Sequence, residues 1–474
     1  MPPQDPRHTK RIPSIATTAR LVLALAVLGY AHAARAADSP TSAKYLLLDS
    51  RVVDRADGVR LTLGSVQKEN RNPLFIEDKP WEVRFDNLYA NVRYDEAERI
   101  YKLWYNPFIM DEVTTATPPE KRKTIPYRPK KREMGLCYAT STDGVRWTKP
   151  ALGIIEFNGS TRNNLVVRHI HGVGVRWDPH DPDPARRYKA FMQKAVTTSP
   201  DGLHWSPVKP CPGIQAAGDT HNNAFWNPRT GKYVGITRLW DNQRIVGRTE
   251  SADFRTWTKA VEVLRGTSDH QTYAMLVFPH ANVYIGLLMV LHTGPDTVDC
   301  ELTWSPDTIH WHRICPGTPL IPLGPDGSFD DGCIYAAAYP IQRDGRLRIY
   351  YGGGNDVHLS WRATGFGLAT LRPDGFAGMK TRDPEKAGII VTNPIPCAGK
   401  QLRVTADVAN GFVRVAVLDA DERTLEDCDP IRADVTDGLV EWRSGKNLAA
   451  MKGKPIRLQF ELKSATLYAF SFTD

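Results

Sequence analysis

The sequence predicts an all-β fold, a five-bladed β-propeller followed by a C-terminal β-sandwich. The first observation is that short runs rich in Val, Ile, Tyr, Phe and Trp alternate with Gly, Pro, Asn and Asp turns, and no long stretch keeps a helical period. The second is that the phrase Ser-x-Asp-x-x-x-Trp occurs four times at similar spacing. Such a period indicates structural units that repeat around an axis.

The number of copies of the phrase predicts the number of blades. Their aspartates stand at Asp143, Asp201, Asp253 and Asp307, and a degenerate fifth copy lies at Leu371–Phe376. Within each copy we expect the Ser and Asp side chains to bond local backbone N–H groups in a tight turn, and the Trp to cover the apolar joint between neighbouring blades. The repeated phrase is therefore interpreted as scaffold, and it predicts five blades.

The N-terminal segment has the pattern of a secretory signal peptide. Basic residues precede an apolar run at 21–33, and small residues follow at 34–36. A membrane anchor is the alternative, but the run falls short of the ~20 apolar residues that span a bilayer. Half of the formal net charge of +8 lies in residues 1–36. We therefore expect a secreted or periplasmic protein with no membrane association after cleavage and no nucleic-acid partner.

The seven cysteines show no metal-binding spacing. An odd number leaves at least one thiol unpaired, and Cys397 with Cys428 is a possible disulfide in the C-terminal region. The alternative is that most of the cysteines are small buried hydrophobic residues. No metal and no redox cofactor is expected.

The predicted domains are a signal peptide at 1–36, a propeller at 45–385 and a sandwich at 386–474, where apolar and polar residues again alternate. A Lys- and Arg-rich stretch at 118–132 interrupts the first blade. It is interpreted as an exposed rim loop, with a binding arm as the alternative. The sandwich is either packing for the last blade or a carbohydrate-binding module.

Polar residues at the starts of the innermost strands should converge on the central funnel of a propeller. The catalytic candidates at these starts are Asp86, Asp219 and Asp330, and the second blade offers only Asn163, Asn164, His169 and His171. Neighbouring carboxylates repel each other, so their pKa values separate and leave one protonated acid beside one ionised group. Glycoside hydrolysis uses such a pair.

Aromatic, basic and amide side chains near the same mouth suit a ligand with many hydroxyl groups. The predicted substrate-binding residues are Trp104, His221, Arg238, Trp240, Asp269, Tyr273, His292, Asp356 and His358.

The segment Glu250–Trp257 and its sister copies resemble the Ser-x-Asp turns of the five-bladed propeller glycosidases of glycoside hydrolase families 32 and 43. The segments Gly327–Gly332 and Ile349–Gly353 resemble secreted bacterial proteins similar to the family 32 N-terminal domain. The resemblance implies a glycosidase in which Asp86 matches the first-blade aspartate. The family 32 phrase Trp-x-Asn-Asp-Pro-Asn-Gly is absent.

These observations predict a secreted glycoside hydrolase that cleaves an oligo- or polysaccharide with paired carboxylates. A non-catalytic carbohydrate-binding propeller and a purely structural protein are the alternatives. The sequence leaves open which carboxylate is the acid, which glycan is cleaved and with which stereochemistry.

Overall fold

A computed structural model describes residues 43–122, 124–418, 420 and 423–474, and this part of the chain is almost entirely β-structure. The described residues belong to one compact unit. The all-β prediction is confirmed, whereas the predicted signal peptide lies outside the described residues. Within those residues, no helix is both long enough and apolar enough to span a bilayer.

Four strands precede the first repeat: β1 (Lys44–Leu46), β2 (Val53–Asp57), β3 (Val59–Leu63) and β4 (Gln67–Lys68). Sheet I then contains β5 (Asn91–Asp95), β6 (Ile100–Tyr105), β7 (Phe108–Asp111), β8 (Arg132–Ser141) and β9 (Leu165–Arg168). The short helix α1 (Glu112–Ala116) follows β7, and the Asp111 carboxylate caps it by accepting from the Thr114 N–H. Helix α1 lies between β7 and β8, directly before the basic stretch at 118–132.

The next two sheets are four-stranded antiparallel meanders. Sheet II contains β10 (Gly174–Trp177), β11 (Tyr188–Met192), β12 (Ala195–Ser199) and β13 (Lys209–Pro210). Sheet III contains β14 (Asn223–Asn227), β15 (Lys232–Trp240), β16 (Arg244–Ser251) and β17 (Val261–Arg265). Tight connections of the kind that antiparallel neighbours allow join β11 to β12 and β15 to β16, whereas the Ser-x-Asp turns lie in the longer connections after β12 and β16.

Sheet IV has nine strands in two parts. Part IVa contains β18 (His270–His280), β19 (Val283–His292), β20 (Thr297–Ser305) and β21 (His312–Ile314). Part IVb contains β22 (Cys333–Ala336), β23 (Ile341–Arg343), β24 (Arg346–Gly354), β25 (Thr364–Leu371) and the early strand β4. A single parallel pairing, Val298 with Cys333, joins the two parts.

Sheet V combines strands from both ends of the described chain. It contains β1, β2 and β3 with β26 (Ala377–Thr381), β27 (Gly388–Thr392), β29 (Gln401–Val417), β30 (Val435–Leu439) and β32 (Leu458–Thr473). A separate pair joins β28 (Ile395–Pro396) to β31 (Pro455–Ile456). Strands β1 to β3, which the prediction placed near the start of the propeller region, therefore pair with the C-terminal strands.

The four Ser-x-Asp phrases form the expected turns. In the first, the Asp143 carboxylate accepts from the N–H groups of Val145 and Arg146 at 2.8 Å, and the Ser141 hydroxyl accepts from Gly144. The residue after the aspartate has positive φ in all four copies, and Gly202 is needed in the second because a Cβ there would lie 2.6 Å from Trp104.

The degenerate fifth copy does not form this turn. Arg372 occupies the position of the Ser, so the local hydroxyl acceptor is lost. The Asp374 carboxylate instead accepts from Lys44 and His280, which are distant in sequence. Asp374 therefore links segments that are distant in sequence, whereas the aspartates of the other four copies stabilise a local turn.

Apolar cores lie between consecutive sheets. One joins sheet I to part IVb, and others join I to II, II to III, III to IVa and IVa to IVb. The repeat tryptophans take part as expected: Trp257 of sheet III stacks at 4.6 Å on Phe191 of sheet II, and Trp147 packs against Tyr350 and Phe366 of part IVb. A further core belongs to sheet V.

All seven cysteines are free thiols, so the possible Cys397–Cys428 disulfide is not formed. Both sulfurs are buried and bond backbone groups of their own surroundings: Cys397 donates to the Gly399 carbonyl, and Cys428 accepts from the Val415 N–H. They act as small core residues, which was the alternative.

Candidate active site

Polar side chains from sheets I, II, III and IV meet around the buried Tyr273 of β18. We call this group the central cluster; its members are Asp86, Asn87, Tyr89, His171, Asp219, Arg238, Tyr273, His358 and Arg362. Asp86 and Asn87 precede β5, His171 precedes β10, Asp219 precedes β14, and Arg362 lies between β24 and β25. The prediction that side chains near strand starts converge therefore accounts for much of the cluster.

Asp86 is held by two guanidinium groups. Arg362 Nη2 lies 2.8 Å from Asp86 Oδ1, and Arg84 Nε lies 3.6 Å from the same oxygen. Burial would raise the pKa of Asp86, but the charges of Arg362, Arg84 and Arg132 outweigh it and lower that pKa. The Asp86 carboxylate is therefore ionised at neutral pH and fixed in direction.

Asp219 lies on the exposed side of the cluster and pairs with a histidine. His171 Nε2 is 2.8 Å from Asp219 Oδ1, and Arg238 Nη1 is 3.7 Å from Oδ2. The hydrogen bond with His171, opposed by burial and helped by the Arg238 charge, lowers the pKa of Asp219 far below its ordinary value. The two carboxylates were expected to have separated pKa values, with one protonated; that expectation is wrong because each aspartate faces cations.

Asn87 and two tyrosines form the floor of the cluster. The Asn87 amide donates to the hydroxyls of Tyr89 and Tyr273 at 3.1 and 3.0 Å, and its oxygen accepts from Arg362 at 2.6 Å. His221 lies beneath this floor, with its ring 5.5 Å from that of Tyr89, and burial lowers its pKa to about 3. His221 therefore supports the floor as a neutral ring and does not face a ligand.

Arg238, Tyr273 and His358 join opposite sides of the cluster. Arg238 donates to the Tyr273 carbonyl at 2.6 Å and its guanidinium lies 4.5 Å from the Tyr273 ring centre. His358 Nε2 is 3.2 Å from the Tyr273 hydroxyl. Burial, followed by the charges of Arg362 and Arg244, lowers the pKa of His358 to about 4, so this ring is neutral at pH 7.

Asp330 is not in contact with the central cluster among the described residues. It is 2% exposed, Lys68 lies 2.6 Å from Oδ2, and the hydroxyls of Tyr351 and Ser328 donate to its two oxygens. Both oxygens are occupied inside part IVb, where Lys68 of β4 meets the strands it closes. These contacts favour a structural role for Asp330.

The two tryptophans predicted to contact the substrate differ in exposure. Trp104 is 1% exposed, its indole N–H donates to the Gly202 carbonyl at 2.7 Å, and it packs between sheets I and II. It is therefore a core residue and the prediction of a sugar contact is wrong. Trp240 is 59% exposed at the end of β15, and Arg244 lies 5.7 Å from its ring centre.

The remaining predicted binding residues lie in local polar groups. Asp269 is exposed and accepts from the Ser268 hydroxyl. His292 lies between His270 and Asp299, at 2.9 Å from each. Asp356 is also exposed and bonds Ser360 within its own loop. Within the described part of the chain, none of these three residues contacts Asp86 or Asp219 directly.

The prediction of site residues omitted Arg362, Asn87 and Tyr89 of the cluster and the neighbouring Arg244. Arg362 lies in the loop between β24 and β25, Arg244 begins β16, and Asn87 and Tyr89 lie beside the predicted Asp86. His171 was noted only as a polar residue of the second blade, whereas His169 is exposed and Asn163 and Asn164 are buried in backbone and tyrosine contacts. The density of Tyr, Asn and Arg next to strand starts was the available signal.

The basic stretch after α1 lies against this site. Tyr127 packs 4.2 Å from the Arg84 guanidinium and 4.9 Å from the Trp361 ring. Trp361 also donates to the Ile125 carbonyl. The stretch was interpreted as a solvated rim; the structure gives it fixed contacts beside the residues that hold Asp86.

The sequence matches no known family profile and no curated protein sequence. Similar solved structures include a protein described as a glycoside hydrolase, with a TM-score of 0.44, 11% identity and coverage of 69% of this chain and 94% of that one. A family 43 arabinoxylan arabinofuranohydrolase from Bacillus subtilis has a TM-score of 0.39, 8% identity and coverage of 85% and 97%. A GH62 hydrolase has a TM-score of 0.41, 11% identity and coverage of 63% and 95%. With TM-scores below 0.5, these likenesses assign neither fold nor activity.

Proposed function

We propose that this protein is a glycoside hydrolase that cleaves an oligo- or polysaccharide at the central cluster. The observation that carries the proposal is the convergence of two carboxylates, Asp86 and Asp219, from separate sheets onto one partly open site rich in hydroxyl, amide and guanidinium groups. Such groups bond sugar hydroxyls, and paired carboxyl groups are the usual machinery of glycosidic cleavage.

The proposed architecture is a five-bladed propeller built from β4 to β25 and a sandwich that contains sheet V, which moves the predicted bounds of 45–385 and 386–474. Sheets I, II and III and parts IVa and IVb are five consecutive units, and the core between sheet I and part IVb connects the last unit to the first. Strand β4 supports this closure because it pairs with β25 of the last unit. The pairing of β1 to β3 into sheet V extends the sandwich with residues 44–63.

In the proposed chemistry, Asp86 is the anionic carboxylate at the sugar ring. Arg362 and Arg84 keep it ionised, which suits a base, a nucleophile or a stabiliser of positive charge in the transition state. His171 supplies the proton to the leaving oxygen, and the ionised Asp219 carboxylate, 2.8 Å from His171 Nε2 on the exposed side of the cluster, holds the imidazole in place. Asp330 is left out because its oxygens are occupied.

Leaving-group dependence tests these roles. A glycoside with a nitrophenol leaving group needs no proton donor, whereas a natural sugar alcohol does. We expect His171→Gln to lose activity on the natural glycan about 100-fold or more and to keep most of it on the nitrophenyl glycoside. Asp86→Asn should lose both activities.

Matched controls separate chemistry from folding. Asp344→Asn changes an exposed turn aspartate outside the cluster and should keep both activities. Equal losses on the two substrates in His171→Gln would contradict its role as proton donor. Binding of a glycan without turnover by the unmodified protein would favour a carbohydrate-binding protein.

We further propose that residues 1–36 are a signal peptide and that the protein is secreted or periplasmic. The support is the order of basic, apolar and small residues at the N-terminus. The intact mass of the protein recovered outside the cytoplasm tests it: a mass lacking residues 1–36 is expected, and a full-length cytoplasmic product would contradict it.

A further inference from the structure

The central cluster carries more positive than negative charge. Four guanidinium groups, those of Arg84, Arg238, Arg244 and Arg362, lie around the two carboxylates, and Arg132 acts on both carboxylates from the exposed start of β8. Asp296, which lies 3.4 Å from His358, is a further acidic group beside the cluster. Five arginines therefore stand against these three aspartates.

Arg244 is a partly buried cation without an ion pair among the described residues. No carboxylate there lies within 4.0 Å of its guanidinium, which bonds Gln271 at 3.0 Å and lies 5.2 Å from the Tyr273 ring centre. Burial and the Arg238 charge lower the pKa of Arg244 by more than Tyr273 and the Asp219 charge raise it. A partly buried cation without a counterion costs free energy, which an anionic ligand would recover.

The same site has hydrogen-bond donors to spare. The Nε–H groups of Arg84, Arg244 and Arg362 are buried and have no acceptor in the described structure. Arg84 and Arg362 are each 4% exposed, so bulk water does not easily replace a missing acceptor. Guanidinium donors favour carboxylate, sulfate or phosphate oxygens over neutral hydroxyls.

The basic stretch extends this charge over the rim. Residues 121–132 contain seven basic residues and no acidic one, and Arg128, Lys130, Lys131 and Arg132 are exposed. Through Tyr127 and Trp361 the stretch is fixed beside Arg84. Positive charge therefore runs from the rim into the central cluster.

We infer that the ligand of this site is an acidic glycan, whose carboxylate or sulfate group binds at Arg244 and Arg132 and whose chain continues along the basic stretch. The inference rests on the proposed function only in that both use the central cluster. It concerns what binds there, so it can fail while the hydrolase proposal stands.

The test is binding to three polymers of matched length: polygalacturonate, a sulfated galactan and neutral arabinan. Affinities are measured for the protein at two salt concentrations. We expect at least tenfold tighter binding to one acidic polymer than to arabinan, and this binding should weaken as the salt concentration rises. Comparison of polygalacturonate with the sulfated galactan shows whether the site prefers a carboxylate or a sulfate group. A single-stranded DNA oligomer that binds equally well would show general polyanion attraction and overturn the inference.

Charge-neutral variants locate the contact. Arg132→Gln changes an exposed side chain and Arg244→Gln a partly buried one; each should weaken acidic-polymer binding about tenfold without changing arabinan binding. Arg60→Gln, an exposed change in sheet V, is the control and should have no effect. Unchanged affinity in Arg132→Gln and Arg244→Gln would overturn the inference. Hydrolysis of arabinan without binding of either acidic polymer would overturn the acidic-glycan inference and support the hydrolase proposal. Binding of an acidic polymer without hydrolysis of any polymer would support the inference and count against the hydrolase proposal.

Discussion

Replacing Asp374 with Asn should destabilise the protein because Asp374 is a buried clamp. Its side chain is 2% exposed and accepts from Lys44 at 2.7 Å and from His280 at 2.9 Å. Burial alone would raise the pKa of Asp374, but the His280 hydrogen bond and the charges of His280 and Lys44 outweigh burial and lower the pKa from 3.8 to about 2. This lowering corresponds to about 2 kcal/mol of stability at neutral pH.

The sign of the pH dependence follows from the lowered pKa. A carboxylate with a depressed folded-state pKa contributes its full stability above its ordinary pKa, and the contribution falls as pH drops through the folded-state value. The stability difference between the protein and Asp374→Asn should thus be complete at pH 7 and shrink between about pH 4 and pH 2. Urea unfolding followed by tryptophan fluorescence measures it.

Asp344→Asn is the matched control, because Asp344 is 66% exposed in a turn and should contribute less than about 0.5 kcal/mol. A loss in Asp374→Asn at pH 7 no larger than in this control would refute the clamp. A loss that stays constant from pH 7 to pH 3 would refute the electrostatic explanation and leave only a packing effect.

Three further outcomes are expected. Asp330→Asn should cost about 3 kcal/mol because it leaves the Lys68 cation without its partner, while turnover per folded molecule is retained; a selective loss of turnover in thermally intact protein would restore Asp330 as a catalytic residue. Trp104→Phe should cost about 1 kcal/mol or more through its hydrogen bond to the Gly202 carbonyl, and an unchanged KM would agree with its core position, whereas a raised KM in a stable variant would contradict it. Thiol titration of the unfolded protein without reductant should give seven free thiols, with Cys315 reacting first in the folded state; fewer than seven would reveal a disulfide.

The repeat turns were predictable because their cause is local. Ser141, Asp143 and the N–H groups they bond lie within six residues, so the sequence contains the whole arrangement. The fifth copy shows the limit of this reasoning. Arg372 replaces the Ser, and Asp374 then takes Lys44 and His280, partners that local sequence does not reveal.

The site was predictable in position and less so in chemistry. Asp86 and Asp219 precede β5 and β14, the first strands of sheets I and III, so their convergence was expected from their equivalent positions in the repeat. Their protonation does not, because Arg362 and His171 arrive from other sheets and cancel the expected repulsion. Trp104 was misassigned because burial between two sheets depends on their spacing, which the periodicity of one strand does not report.

Release of new reducing ends from a panel of neutral and acidic polysaccharides, measured for the protein and for Asp86→Asn side by side, tests the central claim most directly. We predict release from at least one polymer by the protein and a loss of at least about 1,000-fold in Asp86→Asn at equal folded concentration. Equal release by Asp86→Asn, or no release from a polymer that the protein binds, would contradict hydrolysis at the central cluster.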